Sequence, residues 1–145
     1  MPGIVVGVDG SAHAQKALDW AMREAGMRQA ALTVLSVIPT MAGRVTGIPL
    51  TMPGDDKSAK HAEQAIEEAV AKSASGITGP QPPSVLVRVF TGFPAQTLVD
   101  ASHDAELMVV GSRGAGGFAT LLIGSVSSQV AHHAACPVVI VPSER

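Results

Sequence analysis

At 145 residues the chain has room for one ordinary domain and too little for two, and at that size a core can form without disulfides or metals. A net charge of −2 argues against a general nucleic-acid or anionic-membrane surface. A single cysteine, Cys136, excludes an internal disulfide framework and fits a reducing cytoplasm, and no apolar run approaches the ~20 residues of a membrane span.

The opening Met1-Pro2-Gly3-Ile4 carries no basic stretch and is expected to enter a strand at once, without a signal peptide. That first strand covers residues 4–8. Ala14, Ala17, Leu18, Ala21, Met22 and Ala25 then recur at helical spacing, with Ser11 as a candidate N-cap and Gly26 near the stop. Trp20 adjoins this apolar face and reads as packing. A second strand follows at 32–38. The polar stretch 39–56 contains Gly and Pro and is long for a turn; such loops serve as lids or as surface excursions.

A second helix is predicted from Asp56 to Ser75, with Ala62, Ala65, Ile66, Ala69 and Val70 on one face and Glu63, Glu67 and Glu68 on the other. Gly76, Gly79, Pro80, Pro82 and Pro83 end it. A strand at 85–90, a helix opening at Pro94, a strand at 107–110, a helix from Ser125 to about Ala134 and a strand at Val138–Val141 complete the chain. The strands are nearly continuous in Val, Leu and Ile, as expected when helices cover both faces. Alternating strands and helices imply an α/β fold on an open parallel sheet.

Chemistry concentrates where the fourth strand leads through a glycine-rich loop into a helix. Gly111, Gly114, Gly116, Gly117 and Gly124 let the backbone approach a ligand. The helix beginning near Ser125 offers unpaired N–H groups and partial positive charge to an anion. No Gly-Lys dipeptide exists, which excludes a Walker A loop. Gly114-Ala115-Gly116 through Ala119 matches a dinucleotide fingerprint, but after the wrong strand and without the following acid. Asp9, ending the first strand, would face the same crevice and could bind a ribose hydroxyl or Mg²⁺; as a turn former it would need no ligand.

The spacing of Gly111, Gly114, Gly124 and Ser125 (G-x2-G-x9-G-S) resembles the nucleotide-binding motif of the universal stress protein family. The opening Ile4-Val5-Val6-Gly7-Val8-Asp9-Gly10-Ser11 and the ending Cys136-Pro137-Val138-Val139-Ile140-Val141 are similar to that family's first and last strands. The resemblance implies one domain over 1–145, a five-stranded parallel sheet in the order 3-2-1-4-5, and membership of the ATP-binding subset. It places Gly7 and Asp9 beside the nucleotide, with Asp9 a contact for Mg²⁺ carried by ATP, and Val37 at adenine. Gly111, Ser112, Arg113, Gly114, Ala115, Gly116 and Gly117 pass along ribose and phosphates, and Gly124, Ser125 and Val126 hold the phosphates. It further implies a homodimer paired through Val138–Val141, an edge strand needing cover.

Catalysis finds little support. No G-x-S-x-G elbow accompanies the serines, and no lysine in the glycine loop stabilises a transferring phosphoryl group. Any ATP hydrolysis is expected to be slow. A cAMP-preferring binder, an adenylating enzyme on a related sheet, and an interaction module with an empty pocket are the competing readings. The adenylating signatures S-G-G-x-D-S and His-x-Gly-His do not occur. His132, His133 and Cys136 invite a metal reading, but adjacent helical residues point about 100° apart and no further ligand is evident. His13, His61 and His103 are expected at the surface. Ser125 and Ser127, at a helix start, are read as capping residues.

Overall fold

The computed structural model describes residues 3–9, 12–39, 56–112 and 124–142. Five strands alternate with four helices: β1 (Gly3–Val8), α1 (Ala12–Arg28), β2 (Leu32–Pro39), α2 (Asp56–Ser75), β3 (Val85–Gly92), α3 (Pro94–Ser102), β4 (Ala105–Gly111), α4 (Ser125–His133) and β5 (Val138–Val141). All pairings are parallel and the sheet order is β3-β2-β1-β4-β5. This is the order expected from the family resemblance. β1 is central, and Val6 stands in register with Val34 of β2 on one side and Val109 of β4 on the other.

Alternation along the strands sends their side chains into two cores. Ile4, Val6, Leu32, Val34, Leu107 and Val109 pack with Leu18 and Met22 of α1 and Ile66 of α2. Trp20 is half-buried against the same cluster. On the opposite face Val5, Leu35, Met108 and Val110 pack with Leu98 of α3 and Val130 of α4. Helices therefore cover both faces of the central strands.

One local reading needs correction. β3 is not covered on both faces: its burial alternates, leaving Leu86 53% and Phe90 44% exposed on the side away from Val85, Val87 and Val89. The reason is position, since β3 lies at the sheet's edge and α3 packs on β2, β1 and β4 instead. The Arg88 guanidinium lies 5.8 Å from the Phe90 ring centroid on that open face.

Gly26 lies near the stop of α1, as its position suggested, and the helix continues two residues beyond it to Arg28. The left-handed residue that ends it is Gln29, at φ 52°. Ala30 N–H donates to the Ala25 carbonyl at 2.9 Å and Gln29 N–H to that of Gly26 at 3.2 Å, closing a Schellman motif. Gly26 has a packing role: a Cβ there would overlap the Pro80 carbonyl oxygen. The loop after α2 thus runs against α1 at a distance only glycine permits.

Candidate functional site

The strand order reverses between β1 and β4, and crevices at such switch points, outside the carboxyl ends of the strands, are where open α/β sheets lodge ligands. β1 ends at Val8 and β4 at Gly111. Three hydrogen bonds fix what surrounds this point. Ser112 N–H donates to the Val141 carbonyl at 2.9 Å, and Gly124 N–H donates to the Ser112 carbonyl at 2.6 Å. The Ser127 hydroxyl donates to the Gly111 carbonyl. The first turn of α4 is thereby tied directly to the end of β4.

Gly124 is the N-cap of α4, extended at φ −69° and ψ 165°, and no described side chain caps the helix. This corrects the capping role read for Ser125 and Ser127. Ser125 is exposed, and the buried Ser127 spends its hydroxyl on Gly111 instead. A helix start without a side-chain cap keeps its first N–H groups and the positive end of its dipole for another acceptor. An anion is the chemical complement.

Among the other expected site residues, Asp9 follows β1 and is exposed. Val37 is half-buried near the carboxyl end of β2, in register with Phe90. Gly7 faces α3, where a Cβ would come within 2.9 Å of the Leu98 side chain; its small size therefore has a packing explanation. Val126 is half-buried in the first turn of α4. Arg113, Gly114, Ala115, Gly116 and Gly117 lie outside the described residues, as do Gly10 and Ser11.

Beside Asp9 a cavity of about 150 Å³ opens between α1 and α2. Its walls are mostly apolar, with Val8, Leu18 and Ile66 among them, and its polar groups come from Asp9, Gln15 and Ser36. Sequence reasoning assigned Ala62, Ala65 and Ala69 to an apolar helix face but not to a cavity. The signal was their size: three alanines facing a second Ala-rich helix leave space that larger side chains would fill. Gln15 and Ser36 were not singled out. Gln15 Nε2 donates to Asp19 Oδ1 at 3.1 Å and to the Ala69 carbonyl at 3.3 Å, bridging α1 to α2.

No group of three or more His, Cys, Asp or Glu side chains suited to a metal gathers among the described residues. His132 and His133 are exposed with tilted rings, 6.3 Å between centroids, and His61 and His103 are also exposed. Cys136 is half-buried, and desolvation pushes its thiol pKa up, offset in part by a backbone hydrogen bond at Met108. No described helix is long and apolar enough to cross a membrane.

Residues 2–142 match the model of the Universal stress protein family. The chain belongs to that family. It is 40% identical to universal stress protein Rv2623 of Mycobacterium tuberculosis, with 98% of this chain aligned to 48% of that protein. The chain thus spans about half the length of the curated relatives it matches. A universal stress protein whose crystal structure holds cAMP is 26% identical, with a TM-score of 0.72 over 99% of this chain and 98% of that one. The universal stress protein of Archaeoglobus fulgidus in complex with dAMP is 27% identical, with a TM-score of 0.63 over 97% and 98%. Within this family, the crevice described above is a site to test for adenine nucleotides.

Proposed function

We propose that this universal stress protein unit binds ATP in the crevice between β1 and β4, and that occupancy changes its conformation or interactions. The observation that carries the reading is the α4 N-terminus, uncapped by any described side chain and tied by Gly124 and Ser127 to the end of β4. It fits a phosphate chain, with Ser125 and Val126 supplying N–H groups beside Gly124, whose own N–H is taken by the Ser112 carbonyl. Gly111, Ser112, Arg113, Gly114, Ala115, Gly116 and Gly117 complete the loop around ribose and phosphates. Gly7, Asp9 and Val37 form the nucleoside end, and Asp9 is suited to Mg²⁺ arriving with ATP. Complexes of two relatives with cAMP and dAMP support an adenine nucleotide.

The unit is read as a single domain acting in the cytoplasm, holding ATP with little hydrolysis and pairing with a second copy through Val138–Val141. β5 is bonded to β4 on one side and is the last strand of the sheet, which supports that pairing. The second reading is a preference for cAMP, favoured by the relative solved with it. Analysis of small molecules released on denaturation, followed by thermal-shift titration with Mg-ATP and cAMP, tests both. Absence of any adenine nucleotide and of any shift would overturn the binding reading, and a stronger response to cAMP would favour the second.

A further inference from the structure

Of the four large hydrophobic side chains exposed among the described residues, three (Leu86, Phe90 and Phe93) fall between positions 86 and 93; the fourth is Met27. Such clustering marks an interaction surface more often than scattered exposure does. Leu86 and Phe90 flank Arg88 on the face of β3 opposite Val85, Val87 and Val89, which pack into the core with α1 and α2. The Arg88 guanidinium rests 5.8 Å from the Phe90 ring centroid, and no carboxylate of the described residues pairs with it. The outer edge of the strand is open as well. Leu32 N–H donates to the Ser84 carbonyl at 3.0 Å, and a parallel ladder turns alternate residues toward the same neighbour. Leu86, Arg88 and Phe90 therefore direct their backbone groups to β2. Val87 and Val89 direct theirs outward, where no described strand lies.

We propose that β3 is a docking edge for an extended segment of a partner protein in which apolar and acidic residues alternate. The segment adds as a further strand beside β3 and bonds to the outward N–H and C=O groups of Val87 and Val89. On the open face an acidic residue lies opposite Arg88, and apolar residues lie opposite Leu86 and Phe90. Cross-strand pairs of both types are favourable. Charge decides among the occupants. The chain's own residues 40–55 contain one acid, Asp55, which adjoins α2 on the other face of the sheet. A second copy paired so that Leu86 meets Phe90 sets Arg88 against Arg88, and like charges directly opposite are destabilising. Single-stranded nucleic acid is held by a positively charged groove along its backbone, and β3 supplies one cation.

Calorimetric titration with the blocked peptide Ser-Thr-Leu-Thr-Glu-Thr-Leu-Thr-Ser, and with the same peptide carrying Lys in place of Glu, tests this. The wild-type chain is expected to prefer the Glu peptide by about fivefold, the difference between an attractive and a repulsive cross-strand pair. Arg88→Glu should reverse that preference, and Phe90→Ser should weaken both peptides. Both positions are exposed, and thermal melts confirm that each variant is folded before titration. Methylating alternate backbone amides of the peptide separates strand addition from side-chain contact: one alternate set should abolish binding and the other should leave it. Binding of neither peptide, equal binding of both, a preference unmoved by Arg88→Glu, or tolerance of both methylated sets overturns the proposal. A dimer of the free chain that Phe90→Ser dissolves in sedimentation velocity assigns the face to a second copy and overturns it too. Binding of oligo(dT) that the same variant loses would assign it to nucleic acid, with the same consequence.

Discussion

The hydroxyl of Ser127 donates its hydrogen bond to the carbonyl oxygen of Gly111, sixteen residues earlier in the chain. This contact joins the first turn of α4 to the last residue of β4, and so sets where the helix N-terminus lies at the sheet's carboxyl edge. Ser127 is buried, so its loss cannot be repaired freely by solvent.

Ser127→Ala is therefore expected to destabilise the fold by about 1 kcal/mol, the usual worth of one intramolecular hydrogen bond. Urea denaturation should show a lower midpoint with an unchanged slope. An unaltered midpoint would mean that the helix start is held in place by its backbone bonds alone.

Gly26→Ala tests two opposed effects. Alanine in a helix interior gains about 1 kcal/mol over glycine, but a Cβ at this site would overlap the Pro80 carbonyl oxygen. Backbone must move to accept it, and overpacking of that kind costs about 1–3 kcal/mol. The expected result is net destabilisation on thermal or urea unfolding. Gly76→Ala is the control, since the nearest atom to a Cβ there is the Ser73 carbonyl oxygen at 3.6 Å, an ordinary contact.

Cys136 predicts a pH dependence. Desolvation raises its thiol pKa in the folded chain, so the folded state holds the proton more tightly than the unfolded one. Its contribution to stability is complete below the unfolded thiol pKa, about 8.5, and is lost as pH rises through the raised folded value. Stability should fall along this alkaline limb, and Cys136→Ala should flatten that part of the profile. Alkylation by iodoacetamide should be slow at neutral pH, with a rate that keeps rising beyond the range of a free thiol. Rapid alkylation at pH 7 would contradict the assignment.

How far these features were legible depends on whether their cause was local. The Val, Leu and Ile runs marked all five strands because burial on both faces leaves a continuous apolar signature, and the proline and glycine cluster after Ser75 marked the end of α2. Residues 85–90 carry the same signature, yet β3 ends up at the sheet's edge with Leu86 and Phe90 exposed; strand order is a long-range property that composition does not encode. Gly26 marked the neighbourhood of the helix stop, because glycine commonly lies there. Its actual constraint is the Pro80 backbone, 54 residues away in sequence and invisible to periodicity. The glycine loop and Asp9 were singled out from the sequence pattern, whereas Gln15 and Ser36 become notable only when α1, α2 and β2 enclose a cavity.

Gly124→Asp separates fold from function at the α4 N-terminus. Gly124 occupies the N-cap at φ −69° and ψ 165°, a conformation open to any L-residue, so the substitution introduces no backbone strain. Aspartate is among the best N-cap residues, and its carboxylate would accept from the first-turn N–H groups that no described side chain now meets. The negative charge also lies at the positive end of the helix dipole. Stability in the absence of nucleotide should therefore rise by a few tenths of a kcal/mol. The same carboxylate occupies the donors offered to phosphate and repels its charge, so Mg-ATP should bind at least tenfold more weakly. Thermal melts with and without Mg-ATP read both effects: the variant should start higher and shift less. A variant that gains stability and still shifts as far as the wild-type chain would place the phosphates away from this helix start.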